Sequence, residues 1–295
     1  MFFITSGFLV TGSYLSKNNI WSFTRARIFR IYPALIASVL FSVFIVGLWF
    51  TTLSAGDFIS DPITHKFIYR NSFLFDGIKY YLPGVFLDNP LKGAVNGSLW
   101  TLPYEVKMYS YLALLMLLTS YIKTKGKLNI SLKTISICLT ILFGALNLYN
   151  HFYVDSRDYF IHLGLMFSSG ATYFIWKDSI RLSLKALFAC SIALVLSSYH
   201  SDIFFISYCL LLPFIILIIA YIPGGSIRGF NKLGDYSYGM YIYAFPIQQS
   251  LAASIQDIAI ATMIAGSFSI TLVLAIVSWH FLEKPFLNLN KRLNG

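Results

Sequence analysis

Charged residues are scarce in this chain of 295 residues, at 12% of the sequence, whereas a soluble domain typically carries about a quarter. The 12 acidic and 22 basic side chains are too few to cover the water-exposed surface of a protein of this size. The composition therefore excludes an ordinary soluble domain and points to a lipid environment.

Cysteine is also rare, and no pattern typical of a metal site is present. Cys138, Cys190 and Cys209 all fall in apolar stretches, are odd in number and lack ligand spacing, so we interpret them as small buried hydrophobic residues. The 5 histidines are scattered, without an H-E-x-x-H pattern or a pair four residues apart. No G-x-S-x-G or phosphate-binding loop occurs either. We therefore expect no metal site and no tightly bound cofactor.

Apolar residues, by contrast, make up 57% of the chain and come in long runs. A bilayer core of ~30 Å is crossed by about 20 apolar residues of helix. The runs predict an all-α, polytopic membrane helical bundle, with residues 1–295 as a single membrane domain. The nine predicted transmembrane segments are residues 1–16, 31–50, 101–121, 134–150, 159–176, 186–200, 203–222, 236–256 and 259–282.

The net charge of +10 is concentrated in alternate connections between these segments. The basic set is Lys17, Arg25, Arg27, Arg30, Lys123, Lys125, Lys127, Lys133, Lys177, Arg181, Lys185, Arg228, Lys232, Lys284, Lys291 and Arg292. Because lysine and arginine are enriched in cytoplasmic loops, this set is predicted to be cytoplasmic, with the C-terminus inside and Met1 outside. The charge is then a matter of topology, and nucleic acid is not an expected partner.

The other connections hold fewer bases, which are diluted by acidic residues. This outer set is Lys66, Arg70, Lys79, Lys92 and Arg157, with Asp57, Asp61, Asp76, Asp88, Asp155 and Asp158. The one long connection, residues 51–100, lies on this side and is rich in Phe, Tyr, Gly and Pro. Its aromatic content argues against disorder and predicts short interfacial or re-entrant helices.

Three arginines precede the second segment. Arg27 and Arg30 are three residues apart, so both point along one helical face, and Arg25 lies nearby. Guanidinium groups bind phosphate in bidentate fashion, which suits a phosphate-bearing donor such as a coenzyme A thioester. The alternative is plain anchoring beside lipid head groups.

Glu105 lies about one turn inside the third segment, after Pro103 at a position that fits the first turn of a helix. A charge at bilayer depth costs at least ~2.5–3.5 kcal/mol, so such a residue is usually functional or paired. The alternative is a glutamate that is stabilised by the helix N-terminal dipole.

In the eighth segment, Tyr241 belongs to an unusually polar stretch that ends in Gln248 and Gln249, which should face protein or a cavity.

Four stretches, taken in order, resemble the acyltransferase-3 family of membrane acyltransferases, whose members include O-antigen and exopolysaccharide O-acetylases. They are Phe2-Phe3-Ile4-Thr5-Ser6-Gly7-Phe8-Leu9, Arg27-Ile28-Phe29-Arg30-Ile31-Tyr32-Pro33, Ser98-Leu99-Trp100-Thr101-Leu102-Pro103-Tyr104-Glu105 and Ser237-Tyr238-Gly239-Met240-Tyr241-Ile242-Tyr243-Ala244-Phe245-Pro246. Glu283-Lys284-Pro285-Phe286 also fits, so the resemblance covers nearly the whole chain.

The resemblance implies transfer of an acyl group, often acetyl from acetyl-CoA, to a hydroxyl of a carbohydrate or lipid-linked sugar at the bacterial inner membrane. Arg27 and Arg30 match the family's Arg-x-x-Arg, taken to serve the acyl donor, and we add Arg25 to this donor-binding set. Glu105 matches the acidic position of its helix and is the candidate catalytic residue. We expect the acceptor to contact Ser98, Trp100, Tyr104 and Tyr241.

The sequence departs from the family in two ways. The family has ten helices with both termini inside, and its first helix carries an Arg followed eleven residues later by a catalytic His; no such pair occurs here. We therefore expect that a preceding helix is missing, with little turnover from residues 1–295 alone. Ala244 stands where many members have His.

The alternatives to an active acyltransferase are a transporter or flippase for a glycolipid or small solute, and an inactive acyltransferase remnant.

Overall fold

The computed structural model describes residues 1–17, 19–74, 77–124, 131–154, 158–221 and 234–293. These residues form helices and connections without a β-strand, apart from two isolated bridges, so the all-α prediction is confirmed. The helices are α1 (Phe2–Lys17), α2 (Ile20–Phe41, continued by Ser42–Gly47 and Leu48–Phe50), α3 (Ala55–Ser60), α4 (Pro62–Phe73), α5 (Leu102–Thr124), α6 (Leu132–Tyr153), α7 (Tyr159–Ile175), α8 (Leu184–Ser197), α9 (Ser201–Tyr221), α10 (Ser237–Ser254) and α11 (Ile260–Ser278, continued by Trp279–Glu283 and Lys284–Arg292).

Each of the nine predicted segments coincides with a helix. Among the described residues, four helices combine the length and apolarity needed to cross a membrane: Ile20–Phe50, Leu132–Tyr153, Ser201–Tyr221 and Ile260–Arg292. A multi-pass membrane protein is thus supported, while the count of nine crossings stays a prediction. The predicted loop charges Asp76, Lys125, Lys127, Asp155, Arg157, Arg228 and Lys232 lie outside the described residues.

Local sequence explains where the short helices begin. The Ser54 side chain accepts a hydrogen bond from the Asp57 amide at 3.1 Å and caps α3. Asp61 caps α4 in the same way, and Pro62 occupies its first turn, where a missing N–H costs nothing. Residues 51–100 therefore contain the short helices that the sequence predicts.

One helix starts earlier than predicted. The sequence places the start of the second segment at residue 31, after the arginines, but α2 begins at Ile20. Arg25, Arg27 and Arg30 therefore lie within the helix, with Arg30 almost three turns from its start. The apolar run marks only the part of the helix that is rich in hydrophobic residues.

The described part of the chain divides into two compact units, each built from separate stretches of sequence. One comprises residues 1–23 and 107–230, and the other residues 24–106 and 231–295. All the residues proposed above for the donor, the acceptor and catalysis belong to the second unit. The single-domain description of the whole chain stays a prediction.

In the first unit, α1 packs closely against α7. A Cβ atom added at Gly7 would lie 2.0 Å from the Phe167 carbonyl oxygen, and one at Gly170 would lie 2.0 Å from the Ile4 carbonyl oxygen. Ser6 shares a 2.9 Å hydrogen bond with the Tyr109 hydroxyl beside this contact. Small residues that let two backbones approach are typical of helix packing in membranes.

Replacing Gly7 by alanine is expected to destabilise the first unit by roughly 1–3 kcal/mol, because the added methyl group would meet backbone rather than a movable side chain. Thermal unfolding in detergent measures the effect. Gly144→Ala is the matched control: its new Cβ would lie 3.7 Å from Leu165, an ordinary contact, and alanine favours helix. Equal melting temperatures for the two variants would contradict the close-packing interpretation.

In the second unit, residues 77–97 follow an irregular path that hydrogen bonds fix to α10. Gln249 donates to the carbonyl oxygens of Leu91 and Ala94, at 2.7 and 2.6 Å. Asn89 donates to the Gln249 carbonyl at 2.9 Å, and Asn96 to the Ile242 carbonyl at 3.0 Å. Gln249 therefore faces protein, as its position in an apolar segment predicts, while Gln248 is exposed.

Candidate active site

A charged cluster lies where α2 meets the ends of α10 and α11. The Arg30 guanidinium donates to Asp235 at 2.6 Å through one terminal nitrogen and to Glu283 at 3.2 Å through the other. Glu283 is only 1% exposed, whereas Asp235 is 51% exposed. A buried carboxylate requires such a partner, so Arg30 holds the charge of Glu283 inside the helical unit.

Glu283 is not among the site residues predicted from the sequence. Its carboxylate accepts a hydrogen bond from Ser278 at 3.1 Å in addition to the one from Arg30. The chain has only two glutamates, Glu105 and Glu283, and both are buried. Glu283 directly follows the last predicted apolar segment. An acidic residue in that place is the sequence feature that could have indicated a buried charge.

Arg25 also has protein partners. Its Nε donates to Asn290 at 3.2 Å, and its Nη2 donates to the Leu293 carbonyl at 2.9 Å. A cation at the carboxyl end of a helix is favourable, because it satisfies terminal carbonyl groups. Arg27 lies on α2, like Arg25, and is half-buried.

Tyr238, on the first turn of α10, interacts with both Arg30 and Glu105. Its hydroxyl donates to the Ile31 carbonyl at 3.0 Å, and its ring centroid lies 5.7 Å from the Arg30 guanidinium carbon. The charged groups of Glu105, Glu283 and Arg30 all interact electrostatically with this hydroxyl. The predicted donor-binding arginine and the predicted catalytic carboxylate therefore share one neighbour within the second unit.

The observed start of α2 changes the position of Arg30 along its helix. The sequence predicts Arg30 before the start of its helix on the cytoplasmic side and Glu105 near the outer boundary, and the membrane depth of both charges stays a prediction. Because α2 begins at Ile20, Arg30 lies inside the helix, where its charge reaches the same tyrosine as that of Glu105. Glu105 itself is 5% exposed, on the first turn of α5.

Tyr241 fixes the turn that leads into α5. Its hydroxyl donates to the Ser98 carbonyl oxygen and shares a 2.6 Å hydrogen bond with the Thr101 hydroxyl. The Glu105 charge also acts on the Tyr241 hydroxyl. Two of the predicted acceptor-binding residues, Ser98 and Tyr241, are therefore brought together beside Glu105, and Tyr241 orients the turn.

Aromatic side chains surround the same turn. Trp100 and Tyr104 pack edge to face, with ring centroids 6.1 Å apart, and Trp100 is 37% exposed. Burial raises the pKa of the Tyr80 hydroxyl above its ordinary value, and the neighbouring Tyr104 and Tyr81 raise it further. Tyr80 thus stays neutral and able to donate a hydrogen bond at physiological pH.

Within the described ranges, no group of three His, Cys, Asp or Glu side chains is arranged to hold a metal ion. Of the histidines, His151 pairs with Asp202 at 3.0 Å in the first unit, where it stacks on Phe205. These histidine contacts lie in a different unit from Glu105.

Apolar helices that enclose buried carboxylates, an arginine and tyrosine hydroxyls define a multi-pass membrane protein with a polar site in its helical region. The model of an acyltransferase domain family, acyltransferase-3, matches residues 1–281. The chain belongs to this family, and it is an enzyme that transfers acyl groups.

A curated relative supports the same assignment. The chain is 26% identical over 298 residues to a protein of Shigella phage Sf6 named O-acetyl transferase, covering 97% of this chain and 83% of the relative. No solved structure matches the chain. In the described part of the chain, no observation specifically favours the alternative of a transporter or flippase.

Proposed function

We propose that this protein is a membrane-bound O-acyltransferase that moves an acyl group, acetyl in the simplest case, from acyl-CoA to a hydroxyl of a cell-surface carbohydrate such as O-antigen or exopolysaccharide. The acceptor is a carbohydrate or a lipid-linked sugar, and the location is the bacterial inner membrane with the C-terminus cytoplasmic. The observation that carries the proposal concerns two tyrosines. Tyr238 interacts with both Arg30 and Glu105, and Tyr241 interacts with Glu105 and with the Ser98–Thr101 turn.

The chemistry requires a base and an ordered acceptor. The acceptor oxygen attacks the thioester carbonyl carbon, a C–O bond forms, the C–S bond breaks, and the coenzyme leaves as a thiol after taking up a proton. In the proposal, Glu105 accepts the proton from the acceptor hydroxyl as the new bond forms, which gives residues 1–295 a low but measurable turnover without the His that the resemblance implies. The exposed Trp100 and the adjacent Tyr104 offer an apolar face and a hydroxyl to a sugar ring.

The arginines of α2 are proposed to bind the phosphates of the donor. Arg25 and Arg30 already have protein partners, so a phosphate would use their remaining N–H groups or displace those partners. Arg27 lies on the same helix, three residues from Arg30. The proposed donor-binding set is therefore Arg25, Arg27 and Arg30 together.

Replacing Arg27 by lysine is expected to weaken acyl-CoA binding about tenfold, because an ammonium group cannot form the bidentate phosphate contact of a guanidinium group. Isothermal titration of the purified protein with acetyl-CoA measures the dissociation constant. Lys291→Gln, which removes a charge from the continuation of α11, serves as the control and should leave the affinity unchanged. Unchanged affinity in Arg27→Lys would remove Arg27 from the donor site.

The reaction itself can be tested with labelled donor. Membranes that contain the protein are incubated with acetyl-CoA labelled in the acetyl group, and carbohydrate is then extracted and treated with mild base, which releases O-linked acetyl esters. Base-labile label in carbohydrate that depends on the protein supports the proposal. Label found only in lipid that carries no sugar, or only in free acetate, would contradict a carbohydrate acceptor.

A further inference from the structure

The first unit contains an apolar groove that the proposed reaction does not use. It has a volume of about 500 Å³ and lies between α5, α6 and α7. Its walls include Leu112, Met116, Leu139, Phe143 and Phe167. This volume falls in the range of small-molecule sites, about 300–1,000 Å³.

The serine and threonine hydroxyls that line the groove are already satisfied. Ser136 donates to the Lys133 carbonyl at 2.9 Å, Ser168 to the Leu165 carbonyl at 3.1 Å, and Thr172 to the Ser136 carbonyl at 3.0 Å. A polar ligand would lose hydrogen bonds to water here without replacing them. The lining therefore suits a hydrocarbon chain better than a sugar or a nucleotide.

One end of the groove is positively charged. Its lining residues Leu132 and Ile175 are followed closely in sequence by Lys133 and Lys177, both of which are exposed. The Lys133 ammonium lies 4.9 Å from the Trp176 ring centroid, and the Lys177 ammonium lies 4.8 Å from that of Phe174. Two cations thus lie against aromatic rings, one or two residues along the chain from lining residues of the groove.

Trp176 adds a donor at the same place. Its indole N–H is buried and has no hydrogen-bond partner within the described ranges. An indole nitrogen donates but does not accept, so an anion oxygen would satisfy it where a cation would not. Two ammonium groups and an unsatisfied N–H beside an apolar groove match the chemistry of a phosphate joined to a hydrocarbon chain.

We propose that this groove binds an anionic phospholipid of the bilayer, with one acyl chain between α5, α6 and α7 and the phosphate at Lys133, Lys177 and Trp176. Basic pockets between transmembrane helices are a recurrent form of anionic lipid recognition. Both lysines belong to the connections that the charge pattern predicts to be cytoplasmic, where anionic lipids concentrate. The site is separate from the residues proposed for acyl transfer and does not depend on that proposal.

The test compares two phospholipids with the same oleoyl chains, anionic phosphatidylglycerol and zwitterionic phosphatidylcholine. Each is titrated into the delipidated, detergent-purified protein, and binding is followed by native mass spectrometry. We expect phosphatidylglycerol to bind about tenfold more tightly. The double variant Lys133→Gln/Lys177→Gln should lose this preference, whereas Lys185→Gln, which removes another exposed lysine of the same unit, should keep it.

A second variant tests the groove itself. Ser168→Phe places a large side chain in the lining and should weaken binding of both phospholipids by a similar factor. The melting temperature of Ser168→Phe without lipid shows whether this variant folds. The double lysine variant is a second test that does not depend on core packing, because both lysines are exposed. A preference that survives the double lysine substitution would overturn the proposal. Tighter binding of a polyisoprenyl phosphate than of phosphatidylglycerol would overturn the choice of a phospholipid.

Discussion

Replacing Glu105 by glutamine is expected to lower kcat for acyl transfer by about 10²–10⁴-fold, the usual contribution of a positioned general base. Glutamine has almost the same shape as glutamate and can accept hydrogen bonds, but it cannot take up a proton from the acceptor hydroxyl. Because Glu105 is only 5% exposed, bulk water has little access to the position where it could replace the lost carboxylate.

The measurement separates a catalytic role from a structural one. The donor dissociation constant and the melting temperature of Glu105→Gln should stay close to those of the unmodified protein, while kcat falls. Asp88→Asn removes an exposed carboxylate from the same unit and should leave all three quantities unchanged. Should Glu105→Gln retain full turnover, or lose turnover and thermal stability together, Glu105 is not the base.

The sequence predicted the helices well because membrane helices are marked by long apolar runs, which a local pattern detects. It also singled out Glu105 as a candidate, since a charge next to an apolar run is costly, and the Glu105 side chain is buried in the structure. It placed the start of α2 eleven residues too late, because residues 20–30 mix arginines with apolar residues. Hydropathy finds the apolar part of a helix, whereas the backbone hydrogen bonds of the helix continue beyond it.

The contacts of the charged cluster could not be predicted in the same way. Arg30 is separated from Asp235 by 205 residues and from Glu283 by 253, so no local spacing brings them together. The sequence assigned Arg30 to a phosphate, whereas the structure gives it two carboxylate partners. A guanidinium group suits both kinds of anion, and only the packing of α2 with α11 decides which one it meets.

Replacing Arg30 by methionine is expected to destabilise the second unit by about 3 kcal/mol, near the lower end of the range for breaking a buried ion pair. Glu283, at 1% exposure, would lose its counter-ion in a site that water does not reach. The lower end applies because the Arg30 side chain is itself 25% exposed and retains some solvation in the paired state. Thermal unfolding should show a melting temperature lower by roughly 10 °C.

Two further variants decide whether the buried charge is the cause. Asp235→Asn breaks only the pair with a half-exposed partner and should cost less than about 1 kcal/mol, since solvent screens such pairs. The double variant Arg30→Met/Glu283→Met removes both charges and should recover most of the lost stability, because replacing a whole buried pair with apolar side chains is often neutral. If the double variant were as unstable as Arg30→Met, the loss would come from packing around Arg30 and the Glu283 carboxylate would not be its source.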